Sequence, residues 1–160
     1  MKIGVISDTH DNLEYIKKAI RYFNEEKVDK VFHAGDISQV DTAEAFNKLN
    51  MPLILAFGNT DKAESELITK LGAKLELSGQ IVVTELCGIR IVLVHNILLI
   101  PLEIRRQADL IIHGHTHHVE DIVINSTRIL NPGECSAKKF GVSTVMIYDF
   151  ETENVTLKQF

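Results

Sequence analysis

The stretch VISDTHDN, residues 5–12, closes an apolar run by setting Asp8 and His10 two positions apart. KIGVI (2–6) has the character of a buried strand. An amphipathic helix follows over 12–25, with Leu13, Ile16, Ala19, Ile20 and Phe23 at helical spacing and Asp11 or Asn12 as its cap. A strand that stops on Asp-x-His has two readings. Asp, Thr and Asn are ordinary turn and cap residues, while Asp and His are also metal ligands.

Outward from this stretch the same alternation repeats. KVFHA (30–34) is a second strand, and 41–50 a second helix with Ala43, Phe46 and Leu49 facing inward. PLILAF (52–57) is a third strand, followed by a third helix around 62–71. The order β-α-β-α-β-α predicts a parallel sheet with helices packed on it. The second half changes character. QIVVTEL and RIVLVH flank Cys87-Gly88, a hairpin signal, and a short helix is expected near Pro101, where proline suits the first turn. DLIIHG, VEDIVIN, TRILN, STVMIYDF and NVTLKQF follow, most of them joined by tight turns. A parallel half joined to a hairpin-rich half predicts two stacked sheets with helices on the outer faces. The length suits one domain over residues 1–160.

Composition narrows the function classes. The chain carries a formal charge of −5 and no Lys/Arg run, so no nucleic-acid partner is expected. Cys87 and Cys135 are far apart and form no CxxC pair, which suits a reduced, cytoplasmic protein. The residues before Asp8 do not make a signal peptide. The most apolar region, IRIVLVHNILLIPL, is broken by Arg90, His95 and Asn96, so no membrane span is expected.

The informative feature is where the polar residues fall. Asp8 and His10 follow the first strand, Asp36 the second and Asn59 the third. His95 ends a later strand, and His115 and His117 follow the next. In open α/β sheets ligands bind beyond the carboxyl ends of strands, so these seven side chains are expected on one rim. Gly35, Gly58 and Gly114 each precede one of them. Taken singly, each position has an ordinary explanation as a cap, a turn or a packed histidine. Their common placement makes independent ordinary explanations improbable, and Asp8 and His10 are read as metal ligands.

Asp8-x-His10, Gly35-Asp36, Gly58-Asn59, His95 and Gly114-His115-x-His117 resemble the motif set of the calcineurin-like metallophosphoesterases. Within that superfamily, the short length and NPGE (131–134) are similar to the small archaeal and bacterial phosphodiesterases of the YfcE type. The resemblance spans essentially the whole chain. It implies a four-layer αββα sandwich of two mixed β-sheets, in agreement with the two-sheet reading. It also implies one metal held by Asp8, His10, Asp36 and His117 and a second by Asp36, Asn59, His95 and His115, with Asp36 as the bridge. Asp36, Asn59 and His95 are the residues it places nearest the chemistry. An oxygen and imidazole donor set without thiolate suits two divalent transition-metal ions, Mn²⁺ first and Ni²⁺, Fe²⁺, Co²⁺ or Zn²⁺ as alternatives. The implied reaction is hydrolysis of a small phosphodiester by a metal-bridging hydroxide.

The match departs in two places. Many relatives carry a histidine directly after the motif asparagine, where it can protonate the leaving oxygen; here that residue is Thr60, with Asp61 beside it. After His95 relatives often have glycine and a further histidine, whereas Asn96, Ile97 and Leu98 follow here. His33, His113 and His118 are expected to be packed, turned away and exposed respectively, and Cys135 to be an inert buried thiol. Two other readings stand beside the enzyme. One is a non-catalytic interaction scaffold, since the retromer scaffold subunit is similar to this family; the other is a nuclease on the same core. The filled ligand set argues against the first, and the missing basic clusters against the second. Homo-oligomerisation is left open.

Overall fold

The structure is a computed structural model describing residues 1–160. The first half runs β1 (Lys2–Ile6), α1 (Leu13–Glu25), β2 (Lys30–His33), α2 (Val40–Ala43), β3 (Leu53–Ala56), α3 (Glu64–Leu71) and β4 (Leu75–Gly79). The second half runs β5 (Ile81–Leu86), β6 (Ile89–Val94), α4 (Leu102–Arg106), β7 (Leu110–Ile112), β8 (Val119–Ile124), β9 (Thr127–Pro132), β10 (Thr144–Asp149) and β11 (Val155–Gln159). One sheet has the order β11-β10-β1-β2-β3-β4, the other β5-β6-β7-β9-β8. Both are mixed: β1 to β4 are parallel with β10 antiparallel to β1, and β6, β7 and β9 are parallel with antiparallel strands outside them.

Side chains alternate across a strand, so each buried strand feeds two cores. Ile3 and Val5 of β1, Phe32 of β2 and Ile54 of β3 meet Ile91 and Leu93 of β6 and Ile112 of β7 between the sheets. Ile6, Val31, Leu53 and Leu55 face the other way, against Ile16, Ala19, Ile20 and Phe23 of α1, Ala43 of α2 and Leu67 and Leu71 of α3. Val92 and Val94 of β6 pack with Ile111 under Ile100 and Ile104 by α4. Helices, sheet, sheet and helix make the expected αββα sandwich. No helix is long and apolar enough to cross a membrane.

Three local expectations are corrected. The helix expected over 41–50 is a short α2 continued by a 3-10 segment, Glu44–Lys48. Asn24 of α1 ends it, donating to the Lys48 carbonyl and accepting the Asn50 N–H. Ala43, Phe46 and Leu49 are buried as expected. β4 was not anticipated, because LELSG is a half-exposed edge strand whose pairing with β3 is interrupted by a register shift. Asn12 occupies the cap position of α1 but makes no side-chain cap bond, and its amide donates to the Ser136 carbonyl instead. Asp11 accepts from the Gln39 N–H and the Thr42 hydroxyl, tying the loop after β1 to the start of α2.

Candidate metal centre

Parallel pairing places the carboxyl ends of β1, β2 and β3 side by side, and likewise those of β6 and β7. Their loops are then laced together. The Asp8 N–H donates to the Gly35 carbonyl, the His10 N–H to the Asp36 carbonyl and the Gly114 N–H to the His95 carbonyl, each at 3.0 Å. The His115 N–H crosses between the sheets to Asp8 Oδ2 at 3.1 Å. Two glycines permit this approach. A Cβ on Gly58 would lie 2.1 Å from Asp36 Oδ1, and one on Gly114 would lie 1.9 Å from Ser7 Oγ.

The backbone is strained where the candidate side chains leave it. Asp8, His10, Asp36, His115 and His117 have φ of 51°, 38°, 61°, 66° and 65°. Left-handed conformations cost non-glycine residues on the order of 1 kcal/mol each, and they persist where the surroundings over-determine them. Here the surrounding hydrogen bonds impose them.

All seven residues singled out in the sequence converge. Asp36 Oδ2 lies 3.4 Å from His95 Nε2 and 3.6 Å from His10 Nε2. Asp8 Oδ1 lies 3.3 Å from His117 Nε2 and 3.8 Å from His10 Nε2. Asn59 Oδ1 is 3.1 Å from both His95 Nε2 and His115 Nδ1. Two groups have donor atoms close enough to share one ion: Asp8, His10 and His117, and Asp8, Asp36 and His95.

The tautomers can be read from the partners. His95 Nδ1 lies 2.7 Å from the Ala34 carbonyl, and a carbonyl only accepts, so that nitrogen carries the hydrogen. In neutral His95 the Nε2 lone pair therefore points at Asp36 Oδ2 and Asn59 Oδ1. His117 Nδ1 lies 3.0 Å from Glu134 Oε2, which leaves its Nε2 lone pair facing Asp8 Oδ1. Asp8 Oδ1 is buried and has no hydrogen-bond partner. Acceptors facing acceptors in a buried rim are a cost without a cation among them, so this donor set fits a metal.

Without a cation, a proton on His95 Nε2 relieves part of this crowding by donating to Asp36. Burial raises the Asp36 carboxyl, but hydrogen bonds from His95 and the Thr60 N–H outweigh it and hold the group well below the usual carboxylate range. Burial lowers His95, yet the adjoining Asp36 carboxylate outweighs it and raises the imidazole. Burial and the neighbouring His95 lower His115.

A family model described as the calcineurin-like phosphoesterase superfamily domain matches residues 1–153. The chain belongs to this superfamily. It is also 33% identical over 156 residues to a phosphodiesterase of Methanocaldococcus jannaschii, covering 94% of each chain. The solved structure of an archaeal phosphodiesterase superposes with a TM-score of 0.93 at 31% identity, covering 100% of both chains. The YfcE phosphoesterase of E. coli shares the fold at 18% identity, with a TM-score of 0.76 over 100% of this chain and 98% of that one.

Against this superfamily background, several supporting residues had escaped the sequence reading. Glu134 closes NPGE and is buried, accepting from His117 Nδ1, Ser136 Oγ and the N–H groups of Lys139 and Phe140. Burial raises its carboxyl, but these donors outweigh it and keep the group ionised. Asp61 accepts the N–H groups of Asp36, Ser38 and Gly58, so it shapes the loops that carry the site. An acidic residue in a glycine-bearing turn, GNTD and NPGE, is the only signal that either left in the sequence. The Thr60 hydroxyl is 2.8 Å from Ser38 Oγ, and α3 begins after Ala63, so Thr60 does not cap that helix.

The remaining histidines fall as expected. His33 is buried between Thr9 and the Gly35 N–H, His113 is buried against Glu120, and His118 is exposed. Cys135 is buried, and burial pushes its thiol up to about 12.

Proposed function

We propose that this superfamily member is a phosphodiesterase that uses two divalent cations, with the whole chain acting as one catalytic domain. The reading divides the ligands into Asp8, His10, Asp36 and His117 for one ion and Asp36, Asn59, His95 and His115 for the other. Its main support is the orphaned Asp8 Oδ1 among imidazole lone pairs. Asp8 belongs to both ligand groups, but its free Oδ1 faces His117 and His10. Asp36 Oδ2 lies 3.4 Å from His95 and 3.6 Å from His10, so Asp36 is assigned the shared position. Oxygen and nitrogen donors without thiolate favour Mn²⁺, with Ni²⁺, Fe²⁺, Co²⁺ or Zn²⁺ as alternatives. When bound, the cations supply Lewis acidity and positive charge for an anionic phosphoester.

The chain's own residues do the rest. Ala34 and Glu134 fix the tautomers of His95 and His117, and the Thr60 N–H anchors Asp36 Oδ1 at 2.9 Å. No imidazole stands at position 60 to protonate a leaving oxygen, and the Thr60 hydroxyl is engaged by Ser38. Diesters with acidic aryl leaving groups are therefore the favoured substrates. The diester class is further supported by the matches above 30% identity, which are described as phosphodiesterases. The interaction-scaffold alternative is disfavoured because every ligand position is filled and all converge. Two free cysteines, one of them exposed, suit a cytoplasmic location.

The test is hydrolysis of bis(4-nitrophenyl) phosphate by chelated and Mn²⁺-loaded protein, wild type and Asp36→Asn. The wild type is expected to depend on metal. Asp36→Asn is expected to lose turnover and bind fewer ions. Full metal content and activity in Asp36→Asn would overturn the assignment of Asp36 as bridge.

A further inference from the structure

The segment after His95 is one of the two departures from the family pattern, and the structure gives it a fixed shape. Asn96 Oδ1 caps the 3-10 turn Ile97–Leu99 by accepting the Leu98 N–H at 3.0 Å. The Leu99 N–H donates to the Asn96 carbonyl, and Arg105 donates to the Ile97 carbonyl. Ile97 and Ile100 pack into the core under α4. The turn is held at both ends and presents Leu98 and Leu99 to solvent at 81% and 62% exposure, and of the two only Leu99 lines the cleft beside the metal centre.

Leu99 stands at the edge of a cleft of about 220 Å³ that is continuous with Asn59, His95 and His115. Phe57 and Val94 are buried behind it, and the amides of Gln80 and Asn96 complete the lining. No Lys, Arg, Asp or Glu lines it. Pockets for whole drug-sized ligands run to roughly 300–1,000 Å³, so this one suits a single substituent. The absence of charge disfavours a second phosphate or a carboxylate there.

We propose that this cleft seats one ester arm of the substrate, a neutral and largely apolar ring, and that Leu99 is its specificity-determining residue. The proposal rests on the phosphodiesterase reading and deepens it. The phosphoryl group lies at the metal centre while the ring packs on Leu99 and its polar edge meets Asn96 Nδ2, since Asn96 Oδ1 holds the turn and Gln80 Nε2 donates to Glu64. Substrates with a small alkyl group in place of the ring forgo that contact.

Phenylphosphonate and methylphosphonate test this without turnover, because neither has an ester bond to hydrolyse. Their affinities for Mn²⁺-loaded protein are measured by calorimetry. Wild type is expected to prefer the phenyl compound by about tenfold, the scale of discrimination that a small apolar pocket provides. Leu99→Ala is expected to remove most of that preference. The chain has no tryptophan, so Leu99→Trp supplies a sole indole whose emission should move with phenylphosphonate and not with methylphosphonate. The same phenyl-to-methyl ratio in wild type and Leu99→Ala, or an indole blind to phenylphosphonate, would overturn the cleft assignment and leave the metal reading standing. Failure of both phosphonates to bind Mn²⁺-loaded wild type would overturn the phosphodiesterase reading together with it.

Discussion

Glu134 joins two parts of the molecule through one buried carboxylate, and replacing it should damage both. Its oxygens accept from His117 Nδ1 and Ser136 Oγ at 3.0 Å, from the Lys139 N–H at 2.9 Å and from the Phe140 N–H at 2.6 Å. Hydrogen bonds to a charged partner contribute about 1.5–3 kcal/mol each, and a donor left buried and unpaired costs about 1–3 kcal/mol. Lys139 and Phe140 are exposed residues whose N–H groups can turn to water, whereas His117 and Ser136 are less able to. Glu134→Ala should therefore cost about 3 kcal/mol, a large share of a typical total stability of roughly 5–15 kcal/mol. Glu134→Gln keeps the volume and an acceptor oxygen but loses the charge, for a loss of about 1–2 kcal/mol. Urea unfolding with a chelator present measures these stabilities in the absence of metal. Mn²⁺ calorimetry measures the second effect. Losing the carboxylate behind a ligating histidine typically costs about 10–100-fold in metal affinity, with Glu134→Gln expected at the lower end. A folded Glu134→Gln with wild-type Mn²⁺ affinity would refute the claim that Glu134 orients His117. Glu134→Ala as stable as wild type would refute the hydrogen-bond account.

Metal should stabilise the fold, because the ligands are gathered only in the native chain. Each ion at a hundredfold excess over its Kd adds about 2.7 kcal/mol, or roughly 5–10 °C in Tm, and identical melting with chelator and with excess Mn²⁺ would contradict the site. His33 gives a pH signature. Burial, and after it the neighbouring His95, push its pKa from 6.5 down to about 3, and its Nδ1 accepts the Gly35 N–H only while unprotonated. Between those values the unfolded chain binds the extra proton, so stability should fall as pH drops below about 6.5, by about 2 kcal/mol at pH 5. In chelator, His33→Gln should flatten that slope relative to wild type, and parallel curves would count against the assignment. Thr60→His should raise the ratio of alkyl to aryl diester rates by at least about tenfold, since general-acid help is typically worth about 10²–10⁴. An unchanged ratio would mean that the new ring does not reach the leaving oxygen.

The sequence alone determined most of the architecture and the identity of the candidate ligands. Short continuous apolar runs and helical apolar spacing are local properties, so KIGVI, KVFHA and PLILAF identify themselves as buried strands and residues 12–25 as a helix. The placement of Asp8, Asp36, Asn59 and His95 at strand ends is likewise visible in one dimension, because parallel strands share one carboxyl rim. Weakly patterned pieces were not legible. β4 is held by its pairing to β3, and the 3-10 segment that follows α2 is ended by Asn24 of α1. Tertiary structure also decided which lone pairs face inward. His115 meets Asp8 across 107 residues, and the tautomers of His95 and His117 follow from the Ala34 carbonyl and from Glu134. Hydrogen-bond direction and close approach depend on distances in three dimensions. Residue spacing along the chain carries no record of them, so only the folded rim shows Asp8 Oδ1 left without a donor and Leu99 held out beside it.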